Sequence, residues 1–210
     1  MTDPRNPAIS LRKKPKQARS EESVSIILQA AVQVLAKEGA SRFTTARVAE
    51  KAGVSIGSLY QYFPNKAAIL FRLQSDEWQQ TTALLTRILG DTAAPPFDRL
   101  RTLIHTFIRS ECEEADMRIA LDDAAPLYRN APEAQEVKAT GERAIQRFME
   151  EVLPGVDQAT RLLAAELITT TMDTVGKEFS QSPRNEVEIE NYSDAMADMF
   201  CAYLERLGSQ

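Results

Sequence analysis

The chain has 210 residues, 43% of them hydrophobic and 26% charged, with a formal net charge of −5. That suffices for one buried core or two small ones, and no apolar run approaches the roughly 20 residues of a membrane span. Two distant cysteines, Cys112 and Cys201, lie outside any CxxC spacing, which argues against a disulfide framework or structural zinc site and for a reducing cytoplasm.

The net charge conceals an asymmetry. Residues 1–66 hold 11 Lys/Arg against 5 Asp/Glu, a local net of +6, while the remainder holds 14 against 25, a net of −11. A basic head on an acidic body points to a polyanionic partner for the head alone.

In chain order, residues 1–19 carry Arg5, Arg12, Lys13, Lys14, Lys16 and Arg19 among prolines and read as a basic arm. From about Ser20 the pattern turns helical, with Ile27, Ala30, Ala31, Val34 and Leu35 at three- and four-residue steps. Gly39 supplies a stop. "TTARVAEKAG" predicts a short helix capped by Thr44 or Thr45. Gly53 ends it, Ser55 caps the next helix, and that helix runs to about Phe63. Pro64 and Asn65 break the chain before a longer helix through Leu89. Beyond "GDTAAPPFD", Leu100, Leu103, Ile104, Phe107 and Ile108 make one apolar stripe. A helix-then-turn zone follows around "LDDAAPLYRNAP", then a helix over 133–153. Two long helices close the chain, roughly 157–180 and 187–207. Their stripes are Leu162, Ala165, Ile168, Met172, Val175 and Phe179 in the first, and Met196, Met199, Tyr203 and Leu207 in the second. No alternating strand pattern occurs, so the expected class is all-α.

The segment 46–66, "ARVAEKAGVSIGSLYQYFPNK", carries the chemistry. Ala49, Gly53 and Leu59 are spaced as two short helices crossing steeply require: Ala49 is small at the crossing, Gly53 permits a positive φ, and Leu59 fills the gap. Val48, Val54 and Phe63 complete a miniature core. That is a helix-turn-helix, whose second helix enters a major groove. With Leu59 and Phe63 inward, Gly57, Ser58 and Gln61 face out, flanked by Tyr60 and Tyr62. Gly57 lets a phosphate or base edge approach, the hydroxyls donate to phosphate, Gln61 suits an adenine edge, and Lys66 adds a positive charge.

These residues resemble the DNA-binding domain of the tetracycline-repressor family. The likeness runs through "ILQAAVQVLAKEGASRFTTARVAEKAGVSIGSLYQYFPNKAAIL" and covers about residues 24–70. It implies a homodimeric all-α regulator, usually a repressor, that leaves a palindromic double-stranded operator when a small-molecule effector binds its larger C-terminal domain. It implies a division into a basic arm (1–19), a helix-turn-helix domain (20–66) and an effector-binding and dimerisation domain (67–210). By position, Thr45 and Arg47 would meet the DNA backbone or groove. Ile56, Gly57, Ser58, Tyr60, Gln61 and Tyr62 would form the recognition surface, and Lys66 would hold a phosphate. Tyr62 stands where the family often has His. Ile56 either touches a thymine methyl or belongs to the core. The arm from Arg12 to Arg19 either enters a minor groove or tethers phosphate nonspecifically.

In the body, the long stripes of the last two helices fit a dimeric four-helix interface. Trp78, Phe107, Met117, Tyr128, Phe148, Met149 and Met172 are candidate effector-pocket residues, aromatic or adaptable apolar groups that are individually also ordinary core. Glu111, Asp122 and Asp123 would favour a cationic ligand if they faced a pocket, though a solvated helix face accounts for the acidic run "ECEEADMRIALDD" more simply. With a single histidine, His105, no HExxH and no phosphate loop, catalysis lacks parts, and neither enzyme activity nor a cofactor is expected. A His105–Cys112 pair seven residues apart leaves only a remote metal-sensing alternative.

Overall fold

The computed structural model describes residues 18–124 and 132–209. These form helices and no strand: α1 (Ala18–Arg42), α2 (Thr45–Ala52), α3 (Ile56–Tyr62), α4 (Lys66–Leu89), α5 (Pro96–Glu113), α6 (Ala115–Ala124), α7 (Pro132–Val152), α8 (Gln158–Ser180) and α9 (Glu186–Gly208). The class is all-α, as the periodicity requires. The basic arm up to residue 17 lies outside the described residues.

The breaks fall where local chemistry puts them. Gly39 sits at φ 71° inside α1 and kinks it, with one further turn running on to Arg42. Asn65 Oδ1 accepts from Ala68 N at 2.9 Å at the head of α4. α5 opens on Pro96, where a missing N–H costs nothing. Asp157 caps α8 by accepting from Thr160 N at 3.1 Å, and the Thr160 hydroxyl donates to its other oxygen at 2.7 Å. These bonds hold the Asp157 carboxyl below the usual carboxylate range. Asn185 and Glu188 form a reciprocal capping box at α9, with bonds of 3.0 and 2.8 Å.

The chain divides into two compact units. The first contains α1, α2, α3, α4 through Trp78, and α6 from Asp116; the second contains α4 from Gln79, α5, α7 from Glu136, α8 and α9. In the first, α1 buries Val24, Ile27, Ala31, Val34 and Leu35 against Phe43, Val48, Leu59, Phe63, Ile69 and Leu70. A boundary at residue 66 thus falls short of this unit, because the first half of α4 is part of its core. α6 joins as well: Ala120 and Leu121 are buried there, and Arg118 pairs with the buried Glu77 at 2.7 Å while Gln74 donates to Glu77 at 3.0 Å.

In the second unit α5 packs against both α8 and α9. A Cβ on Gly176 of α8 would stand 2.8 Å from a ring carbon of Phe107, so the two helices meet as closely as only glycine allows. Arg99, 2% exposed, donates to the Leu89 carbonyl at the end of α4, pairs with Glu151 of α7, and places its guanidinium over the Phe148 ring. Along the α5–α9 seam the charges form a ladder with a four-residue step. Arg101 pairs with Asp198 at 2.5 Å, His105 with Asp194 at 3.0 Å and Glu190 at 3.4 Å, and Arg109 with Glu190 at 2.7 Å and Glu186 at 2.5 Å. The hydrogen bonds that Arg101 donates to Asp198 and Arg109 to Glu186 raise the pKa of the two guanidinium groups.

Two members of the apolar stripes, Leu162 of α8 and Met199 of α9, are exposed in the protomer. The inward face of α9 is instead Ile189, Ser193, Met196, Ala197, Phe200, Cys201 and Leu204. The fit to α5 selects this face, and apolar content alone could not separate it from the adjoining one.

Candidate nucleic-acid interface

The hairpin of α2 and α3 is specified residue by residue. Thr44, in extended conformation, caps α2 by accepting from Arg47 N at 3.3 Å. Gly53 closes it at φ 67°, and its N–H is shared by the carbonyls of Ala49 and Glu50. Ser55 then caps α3, accepting from Ser58 N at 3.0 Å and lying 2.8 Å from the Ser58 hydroxyl. Val48 and Ala49 from α2 and Leu59 from α3, with Phe63 just beyond it, are buried, so the miniature core is as expected.

Burying Leu59 and Phe63 sets the outward residues of α3 as pairs one turn apart. Ile56 and Tyr60 form one edge, Gly57 and Gln61 the exposed centre, and the half-buried Ser58 and Tyr62 the other edge. A Cβ on Gly57 would meet only the Ser55 hydroxyl, at an ordinary 3.7 Å, and its φ is not in the left-handed region. Neither packing nor backbone geometry therefore demands glycine there, although glycine costs helix stability.

The flanking groups are held in place. The Tyr60 hydroxyl lies 3.1 Å from Thr45 Oγ1 at the start of α2, which joins two candidate donors into one unit. Lys66 is exposed at the first position of α4, and no acidic residue occupies the first turn of α2, α3 or α4. A lysine at the positive end of a helix opposes the macrodipole, an arrangement that suits an arriving anion. Arg47 is engaged within the protomer. Its guanidinium pairs with Glu38 of α1 and donates to the Arg42 carbonyl at 3.0 Å, so it braces α1 against α2 across the Gly39 kink. Glu38 was not singled out in the sequence, because it lies nine residues from Arg47 on another helix.

The candidate effector residues that are described fall in the core clusters of two different units. Trp78 and Met117 pack against the core of the first unit. Phe148, Met149 and Met172 are buried in the second, where Phe107 is half-buried. Tyr128, like the side chains of Asp122 and Asp123, lies outside the described residues. Glu111 is buried. A surface depression of about 510 Å³ at the α8–α9 junction is lined by Val175, Phe179, Arg184 and Tyr192, among others, and by none of these candidates. His105 is committed to the α9 ladder, and no metal-binding cluster occurs among the described residues. Burial raises the pKa of the Cys112 and Cys201 thiols, which disfavours reactive thiolate. No helix among the described residues is long and apolar enough to cross a membrane.

Comparison with known proteins agrees with this geometry. Residues 27–73 match the model of bacterial regulatory proteins of the tetR family, and residues 95–207 match the tetracyclin repressor-like C-terminal domain. The nucleoid occlusion factor SlmA of Vibrio campbellii is 34% identical over 116 residues, 55% of this chain and 57% of that protein. The HTH-type transcriptional repressor KstR of Rhodococcus jostii is 27% identical over 135 residues, 63% of this chain and 62% of its own. The chain thus spans little more than half the length of these curated relatives. FadR of Bacillus subtilis, solved in complex with stearoyl-CoA, shares the fold at a TM-score of 0.66 and 20% identity, over 84% of this chain and 96% of that one. Regulators of this kind act by binding DNA and are not enzymes. With both domain models matched along one chain, this protein belongs to the TetR family of transcriptional regulators.

Proposed function

We propose that the chain is a homodimeric repressor that holds a palindromic operator through α3 and releases it when a small molecule binds its C-terminal body. The observation that carries this reading is Gly57: a glycine that the fold does not require, at the centre of an exposed helix face between hydroxyl donors, with an exposed lysine at the head of the next helix. The DNA contacts proposed are Thr45, Ile56, Gly57, Ser58, Tyr60, Gln61, Tyr62 and Lys66, with Arg47 acting through its brace on α1. An operator as partner implies a cytoplasmic protein. Dimerisation is supported by the apolar side chains left outside on the last two helices, Leu162, Leu163 and Leu167 on α8 and Val187 and Met199 on α9. Leu163 is 61% exposed, a poor arrangement for an isolated protomer.

The effector site proposed lies in the second unit around Phe107, Phe148, Met149 and Met172, whose apolar and adaptable side chains fit an apolar ligand. The relative bound to stearoyl-CoA makes a long-chain acyl-CoA the first probe, read as a rise in melting temperature. The decisive experiment is selection of bound duplexes from a random pool. An enriched inverted repeat with half-sites about one helical turn apart supports the reading, and a pool without any enriched sequence refutes it.

A further inference from the structure

Among the described residues of the first unit, the exposed large hydrophobic side chains are Ile26, Ile56, Tyr60 and Ile119, and two of these four sit on the seven-residue α3. Tyr60 has a hydrogen-bond partner in Thr45. Ile56 has no such tie. It is 42% exposed and takes no part in the core cluster, which Val48, Ala49, Leu59 and Phe63 close without it. The reading of Ile56 as core is thereby removed.

Its position gives it a use. Ile56 is the first residue of α3, at the edge of the bare strip formed by Gly57 and Gln61, and the Ser55–Ser58 hydroxyl pair lies alongside. A branched aliphatic at a helix start adds little to helix propensity. It gains free energy only by leaving water. On the major-groove edges of the base pairs, the apolar group on offer is the C5-methyl of thymine. We infer that Ile56 selects thymine, packing against one thymine methyl in each operator half-site. This rests on the DNA-binding reading above, and it assigns to Ile56 a specificity that Lys66 and the tyrosines, as phosphate contacts, do not supply.

The test begins with the half-site that the unaltered protein selects from the random pool. Each thymine in that site is then replaced singly by uracil, which removes the methyl and keeps every hydrogen-bonding group. One thymine per half-site is expected to be sensitive, its conversion weakening binding by about fourfold, the worth of one buried methyl. Ile56→Ala should bind the thymine and uracil duplexes equally, and Ile56→Val should retain part of the discrimination. Because Ile56 lies outside the core, Ile56→Ala should melt with the unaltered protein, so that a lost preference reports contact and not unfolding. Tolerance of uracil at every position, or a penalty undiminished in Ile56→Ala, overturns the inference while leaving DNA binding intact. Failure to enrich any sequence refutes the DNA-binding reading itself, and this inference with it.

Discussion

The α2–α4 face and the α5–α9 seam both carry charged and polar side chains, yet they use them in opposite ways. On the seam, Arg101, His105 and Arg109 each meet a carboxylate of α9 at a regular step, so the charge is consumed within the protomer. On the α2–α4 face, Lys66 and Gln61 are exposed, Gly57 is bare, and the caps Thr44 and Ser55 are neutral. The helix starts elsewhere are acidic: Asp98 in α5, Asp116 in α6, Asp157 before α8, Glu186 and Glu188 in α9. The overall charge of −5 therefore says little about function. What matters is which charges the fold has already used.

The contrast can be broken most severely from behind. Leu59→Ala removes the anchor of α3 and is expected to cost about 2–5 kcal/mol of stability. Chemical denaturation should show the loss, and operator binding should disappear with it. Next in size is Lys66→Ala, expected to weaken operator binding and to flatten its dependence on salt by about one unit of log–log slope per protomer. Arg47→Ala should weaken binding while leaving that slope unchanged, because the Arg47 charge is spent on Glu38. A slope change in Arg47→Ala equal to that of Lys66→Ala would return Arg47 to the phosphate-binding group.

Gly57→Ala sharpens the comparison because its two readouts should move apart. Thermal stability should hold or rise by up to about 1 kcal/mol, while operator affinity falls as the added methyl obstructs the approach. On the seam, Arg109→Ala should leave both the denaturation midpoint and DNA affinity nearly unchanged, since exposed ion pairs contribute little. The smallest effect is that of pH at Asp157. Its carboxyl is held low by bonds that exist only in the folded protein, so its contribution is present above the ordinary carboxylate range and fades as pH falls through the lowered value. Asp157→Asn should remove that part of the acid sensitivity in a pH series of melts.

Much of this was legible in the sequence wherever the cause was local. Thr44, Gly53, Ser55 and Asn65 act on backbone groups within a few residues, so helix boundaries followed from them to within two or three positions. The outward face of α3 was legible because Leu59 and Phe63 fix its rotation. Long-range pairing was not. Nothing near Glu38 announces Arg47, and nothing near residue 120 shows that α6 returns to the first core. The seam is an intermediate case: the four-residue steps of Arg101, His105, Arg109 and of Glu186, Glu190, Asp194, Asp198 are visible in the sequence, but their register against each other is not. The outward turn of Leu162 and Met199 could not be read either, because apolar periodicity does not distinguish a neighbour in the same chain from one in another.

Arg99 has a consequence for how the second unit opens. One guanidinium ties the carbonyl end of α4, the flank of α7 and the Phe148 ring to α5. Fraying at Leu89 would therefore leave a buried guanidinium short of an acceptor, so the parts of these three helices that lie in the second unit should exchange their amide hydrogens as a single cooperative block.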